Sequence, residues 1–436
     1  MAISFTEKQQ QVIDTHGCNL LVSAAAGSGK TAVLVERIVK MISDEAHPVD
    51  VDRLLVVTFT NAAAAEMRER ISNAISERLV AQPENEHLQR QATLLHNAQI
   101  TTIDSFCLFV IRNQFHTIDL DPGFRIADEG ERKLLRADVL AAVLEEEYSQ
   151  ERQSFLDCME YFSLGNRDDA VEEVILKLYD FAMSNPFPEK WLAERRKDYL
   201  VTAERLEELP WMQFLLQQTR YLLTGCVEKL AEAERLSEQP DGPYPYGALL
   251  EKEREMTEQL LHLCSKEKVD YDTLVAAFGG MQFGRLPSKK DDTISAAKRE
   301  QAKALRTEVK EALGDLQKKY FFQTKEQVID QMAGCQYAVE GLIDLVLHFK
   351  EAFDAGKREK NLLDFDDIEH FALNILVEWQ EDGSCKPTST ALEYRKYFKE
   401  ILIDEYQDSN LVQEYLLSCI SGEEEGNYNR FMVGDV

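Results

Sequence analysis

A short apolar run, Asn19–Ser23 (NLLVS), leads directly into Ala24-Ala25-Ala26-Gly27-Ser28-Gly29-Lys30-Thr31 and then into a helix-period segment from Ala32 to Met41. Strand, glycine-bearing loop and helix in that order leave few choices. The glycines let the backbone turn tightly and aim successive N–H groups inward, which makes a concave anion site at the positive end of the helix. Lys30 then reaches the β- and γ-phosphates of a nucleotide, and the Thr31 hydroxyl ligates Mg²⁺. Ala24 stands where the usual pattern has its first Gly.

The surrounding chain repeats the same alternation. Leu54–Thr58 (LLVVT) and Gln99–Ile103 (QITTI) read as further buried strands, each followed within a few residues by a helical segment. Strand and helix in alternation predict a parallel sheet covered on both faces. From about residue 126 to about 360 the pattern gives way to charged, helix-rich sequence, broken by Asn185-Pro186-Phe187-Pro188 and by the Pro/Gly-rich stretch 239–247. Strand signals return at Glu400–Asp404 (EILID) and Arg430–Gly434 (RFMVG). The expected fold class is therefore α/β: one sheet domain, residues 1–125 and 360–436, interrupted by a large, mostly helical insertion at 126–359.

A phosphate loop needs a carboxylate to organise its metal, and Ile401-Leu402-Ile403-Asp404-Glu405 supplies one at a strand's carboxyl end. Side-chain alternation aims Asp404 at the Mg²⁺ shell, while Glu405, as the chain leaves the sheet, leans toward the γ-phosphate as the base that orients and deprotonates water. Acidic clusters such as Glu145–Glu147 and Glu423–Glu425 read as solvated faces.

Composition narrows the partners. With 49 Lys plus Arg against 78 Asp plus Glu, a net charge of −29, the chain cannot coat a polyanion with its whole surface, so nucleic-acid contact must be local. One stretch runs the other way. Arg285 to Lys319 holds ten basic residues against six acids, and reads either as a guide for DNA by phosphate contact or as a solvated helix face. The eight cysteines form no CxxC pair and read as isolated buried thiols. The start, MAISFTEKQQQ, resembles no leader, and no 18 apolar residues run together, so a soluble, cytoplasmic chain with no membrane contact is expected.

Taken in order, these motifs resemble superfamily 1 DNA helicases of the UvrD/Rep type, and within them the AddA (RexA) family of helicase/nuclease subunits. Phe5-Thr6-Glu7-Lys8-Gln9 resembles the Q motif, Thr58-Phe59-Thr60-Asn61-Ala62 through Arg68 motif Ia, and Thr101–Phe106 motif Ib. Leu363–Asp367 resembles the acidic-aromatic segment that returns to the core, Asp404–Asn410 (DEYQDSN) motif II, and Val433-Gly434-Asp435 the start of motif III. Departures from the pattern include Asp104, where many relatives carry His, Ala62 in place of Lys, and Ala32 in place of Arg.

The resemblance implies a RecA-like P-loop domain 1A with domain 1B inserted, and ATP with Mg²⁺ as cofactors. It adds roles to residues: Gln9 reads the adenine edge, the loop residues 24–31 bind ATP, and Phe59, Thr60, Asn61 and Ser105 lie along single-stranded DNA. It also implies double-stranded DNA as a substrate, AddB (RexB) as the second member of a heterodimer, and work in double-strand break repair and recombination. Val436 falls inside motif III, ahead of a second RecA-like domain and a C-terminal nuclease. This polypeptide is accordingly expected to bind Mg-ATP weakly, hydrolyse it very slowly and unwind nothing. A P-loop NTPase that does not act on DNA, or a non-catalytic DNA- or partner-binding module, are the alternatives; DNA-independent ATPase activity would favour the first.

Overall fold

The structure, a computed structural model, describes residues 5–25, 27–44, 46–163, 168–288, 291–380 and 384–435. Ala26 of the phosphate loop, Lys289 and Lys290 of the basic stretch, and Val436 lie outside the described residues.

The chain enters through helix α1 (Glu7–Asp14), started by a capping box in which Thr6 and Gln9 exchange side-chain and backbone hydrogen bonds. Next come β1 (Leu20–Ser23), α2 (Lys30–Ile42), β2 (Leu54–Thr58), α3 (Asn61–Ala81), α4 (Glu86–Leu94), β3 (Gln99–Thr102), α5 (Ile103–Gln114), β4 (Arg125–Ile126) and α6 (Glu129–Gln150). Helices follow without strands: α7 (Gln153–Phe162), α8 (Asp169–Met183), α9 (Pro188–Lys197), α10 (Pro210–Glu238), α11 (Gly247–Cys264), α12 (Tyr271–Gly279), α13 (Ala296–Lys319) and α14 (Lys325–Glu359). The chain then runs through β5 (Leu362–Leu363), α15 (Phe365–Leu376), β6 (Val377–Trp379), β7 (Cys385–Pro387), α16 (Ser389–Tyr397), β8 (Glu400–Ile403), α17 (Leu411–Cys419) and β9 (Arg430–Gly434). The expected strands are present, each within a residue of the predicted ends.

Two compact units divide the chain. The first holds Met1–Arg152, Leu164–Trp191 and Asp344–Val436, and is built on a five-stranded, all-parallel sheet of order β1-β9-β8-β2-β3. Period-two alternation sends its side chains to opposite faces. Leu54, Val56, Leu402, Phe431 and Val433 meet Leu34 and Ile38 of α2 and Met67 and Ile71 of α3 on one side. Leu55, Val57, Ile401, Ile403 and Met432 meet Phe106 of α5, Ile368 of α15 and Leu416 of α17 on the other. Burying each such side chain contributes roughly 1.5–3 kcal/mol. The strand order matters most for function: β8 and β9, late in the chain, fill the gap between β1 and β2, so residues after Ile403 and Gly434 emerge beside the phosphate loop.

The second unit, Gln153–Ser163 with Leu192–Ile343, is helical. Met212, Leu216, Leu223 and Leu230 of α10 pack with Leu250 and Leu260 of α11 and Val309 and Leu313 of α13. Inside it Arg306 makes a two-pronged ion pair with Glu253, both bonds 2.7 Å, and donates to the Gly284 carbonyl at 2.6 Å. Other cations of the basic stretch are likewise engaged: Lys298 with Asp241, Lys303 with Glu300, Lys319 with Asp315, and Arg299 with the Asp291 carbonyl.

The cysteines depart in part from the expectation of buried thiols. Cys107, Cys158, Cys226 and Cys264 are buried, Cys335, Cys385 and Cys419 half-buried, and Cys18 exposed, all of them free. Among the described residues no helix is long and apolar enough to cross a membrane.

Candidate nucleotide and strand site

The loop after β1 has the conformation its glycines allow. Gly27 and Gly29 take φ of 78° and 84°, the left-handed region that costs an L side chain about 1–2 kcal/mol. Gly29 is the N-cap of α2 and supplies no side-chain cap, and the helix has no acid in its first turn. Its leading N–H groups therefore face outward with the positive end of the helix dipole behind them. Lys30 donates to the Ala24 carbonyl at 3.1 Å and pairs with the Asp435 carboxylate. Gln9 reaches over the loop and donates to the Ser28 carbonyl at 3.0 Å, while its Oε1 accepts from the Thr6 N–H. One amide N–H and one lone pair remain on that side chain for a ligand.

Across the sheet's carboxyl edge, the Asp404 N–H still bonds the Val57 carbonyl, at 2.9 Å, so the first residue after β8 is held in strand register. Glu405 turns away with φ of 55°, a strained backbone of the kind that concentrates at functional sites. Burial, then the neighbouring Glu405 charge, raises the Asp404 carboxyl above its usual range; the Glu405 N–H and Lys30 oppose this.

A cleft of about 370 Å³ joins these parts: Thr31, Thr58, Phe59, Thr60, Glu66, Asp404, Glu405 and Asp408 line it together with Ala63 and Met67. The structure thus brings Thr31, Asp404 and Glu405 together with Phe59 and Thr60, while among the described residues the lining includes none of Gln9, Lys30, Asn61 and Ser105 and no loop residue before Thr31. Phe59, open between a strand contact and the core in sequence terms, is 65% exposed. Thr60 caps α3 by accepting from the Ala63 N–H at 3.1 Å, and Asn61 is that helix's first residue. The Ser105 hydroxyl lies 2.9 Å from that of Thr102, the residue that caps α5.

The donor set suits magnesium. A threonine hydroxyl and a carboxylate are hard oxygen donors, and Mg²⁺ usually takes only one or two protein carboxylates, filling its shell with water and phosphate. Among the described residues no three His, Cys, Asp or Glu side chains gather to hold a metal by themselves. Asp404, desolvated beside a second carboxylate, is an acid that a cation would relieve.

Three features escape the sequence. Asp435 is the partner of Lys30. Asp104, at the start of α5, is pushed up to about 6 by burial and then by Glu369 and Asp366 of α15. Phe365, first residue of α15, is 56% exposed. Only the glycine-acid pair after a buried strand hinted at the first; the other two depend on packing between distant segments.

This arrangement can be set beside known proteins. Residues 5–436 match the UvrD/REP helicase N-terminal domain family. The chain belongs to that family. Its relatives in the UvrD/REP group include an ATP-dependent helicase/nuclease subunit from Lachnoclostridium phytofermentans, 51% identical over 99% of this chain and 31% of the relative. Proteins of the same name from Clostridium beijerinckii and Bacillus pumilus are 42% and 40% identical, each over 99% of this chain and 35% of their own length. The chain thus spans about a third of the curated relatives it matches. Within this UvrD/REP chain the segments that resemble the Q motif, the phosphate loop and motifs Ia and II converge on one edge of one sheet.

Proposed function

We propose that this chain is the ATP-binding first half of a DNA-translocating motor of the AddA type. The observation that carries the reading is the single cleft shared by Thr31, Asp404, Glu405 and the exposed Phe59. Residues 1–125 and 360–436 form the RecA-like domain 1A and 126–359 the insertion 1B; the parallel sheet of one compact unit and the separate helical core of the other support the division in outline, while 126–152, 164–191 and 344–359 group with the sheet.

In this account Lys30 exchanges Asp435 for the β- and γ-phosphates, and the amides of residues 24–31 cradle the rest of the triphosphate. Gln9 reads the adenine edge. Thr31 and Asp404 would hold Mg²⁺, which offsets the negative charge that develops on the phosphates. Glu405 orients the attacking water and takes its proton. Phe59 stacks on a base of the single strand, with Thr60, Asn61 and Ser105 donating to phosphates. Among the described residues no arginine lines the cleft, and Lys30 of the adjoining loop is the cation this reading gives the phosphates. Cationic fingers are worth about 10³–10⁵ in rate, so this chain alone hydrolyses ATP slowly. In the cell the motor would act on double-stranded DNA in break repair and recombination, as the helicase/nuclease member of a cytoplasmic AddAB pair.

Calorimetric titration of Mg-ATP with and without an oligonucleotide tests the reading. Saturable binding strengthened by single-stranded DNA and lost in Lys30→Ala is expected. Binding indifferent to both changes contradicts it, and a turnover in the ordinary enzyme range, about 1 s⁻¹ or faster, contradicts the slow step.

A further inference from the structure

Gln407 lies in the short turn Tyr406–Asp408 that follows Glu405, and its side chain is exposed, so no apolar packing holds it in place. Its amide instead spans two parts of the site. Oε1 accepts the Asp435 N–H at 2.9 Å, and Nε2 donates to the Glu405 carboxylate at 2.8 Å and, at 3.4 Å, to Asp408. A backbone N–H can only donate and an ionised carboxylate only accept, so this orientation of the amide is dictated by its surroundings. Beyond Asp435 the chain of contacts continues: its carboxylate takes Lys30, and the Gly434 carbonyl accepts from the Ala24 N–H at 3.1 Å. Gly434 also leaves the room that Gln407 uses. A Cβ there would stand 2.7 Å from Oε1 and 3.3 Å from the Gln407 backbone nitrogen.

We infer that Gln407 is a positioning residue for hydrolysis, which ties the Glu405 carboxylate to the Asp435 segment that holds Lys30. Phosphate arriving at Lys30 competes with Asp435, and the amide carries that exchange to Glu405. The inference rests on the nucleotide-site reading above.

Single-turnover hydrolysis of Mg-ATP with the 436-residue chain in excess, run beside a Mg-ATP titration, tests it in wild type, Glu405→Gln, Gln407→Ala and Gln407→Glu. Losing one hydrogen bond to a charged group should slow Gln407→Ala by about 10-fold or more, with Mg-ATP affinity changed by less than about 3-fold. Gln407→Glu keeps an acceptor for the Asp435 N–H but loses the donor to the Glu405 carboxylate, so it should be slowed at least as much as Gln407→Ala. Wild-type rates in both Gln407 variants, or affinity falling as far as rate, overturn the inference. Should Glu405→Gln itself hydrolyse normally, the nucleotide-site reading falls with it; loss in Glu405→Gln alone sinks only the role of Gln407.

Discussion

Lys30 and Arg306 are both nearly hidden cations in contact with a carboxylate, and they serve opposite ends. The partner of Lys30 is Asp435, whose side chain is 44% exposed and sits at the end of a strand. The partner of Arg306 is Glu253, 1% exposed, gripped by two bonds inside a helical core. On the proposed reading phosphate replaces Asp435, and water can receive the displaced acid because that side chain is 44% exposed. Nothing can replace Glu253 without stranding a charge. The sheet edge therefore keeps its charges exchangeable, while the helical unit commits them to its own architecture. Counting basic residues cannot distinguish the two cases.

Breaking the committed pair should have the largest effect. Arg306→Ala leaves Glu253 buried and unpaired, and should destabilise the chain by about 3–5 kcal/mol in urea denaturation. A change below about 1 kcal/mol would mean that the pair is solvated after all. On the sheet edge the contrast is with binding: Phe59→Ala should cost about 1–3 kcal/mol of single-strand affinity and leave the melting temperature unchanged, because the ring is exposed. A sharp drop in melting temperature would return Phe59 to the core.

Asp104 gives a smaller, pH-dependent signal. Its carboxyl stands at about 6 in the folded chain, above the roughly 3.9 of an unfolded one, so the folded state holds that proton more tightly. Ionisation then costs stability as pH rises from about 4 through 6, and the cost persists above. Asp104→Asn should stabilise the chain by about 1 kcal/mol at pH 7.5, after allowance for solvent screening, and by nothing near pH 4. Equal effects at both pH values would show that neither burial nor the Glu369 and Asp366 charges hold that proton. The smallest effect belongs to the basic stretch: reversing Lys298 and Arg299 to Glu should leave the salt slope of DNA binding unaltered, since both already have internal partners. A slope reduced by about two would restore that helix as a DNA guide.

The sheet strands were legible because each is a short apolar run beside a helix-period segment, and the loop because its glycines and Lys30 are contiguous. Asp404 and Glu405 were legible for the same local reason, as acids ending a buried strand. What sequence could not convey was pairing at long range. Lys30 and Asp435 are 405 positions apart, and neither residue advertises the other. Their meeting follows from β8 and β9 filling the centre of the sheet, a fact of topology. Phe59 was undecided for a related reason: a residue just past a strand's end lies in or out according to the helix that follows, here α3. The cations of the basic stretch were countable, but the acids that engage Lys298, Lys303, Arg306 and Lys319 lie on other turns and other helices.

The central claim is that Thr31 and Asp404 share one ion on a nucleotide held by Lys30, and metal-dependent binding tests it most directly. Titration of ATP with and without Mg²⁺, in wild type and in Asp404→Asn, should show Mg²⁺ strengthening binding in the wild type and conferring little in the variant, with metal-free ATP bound equally by both. An Asp404→Asn chain that gains as much from Mg²⁺ as the wild type would contradict the account.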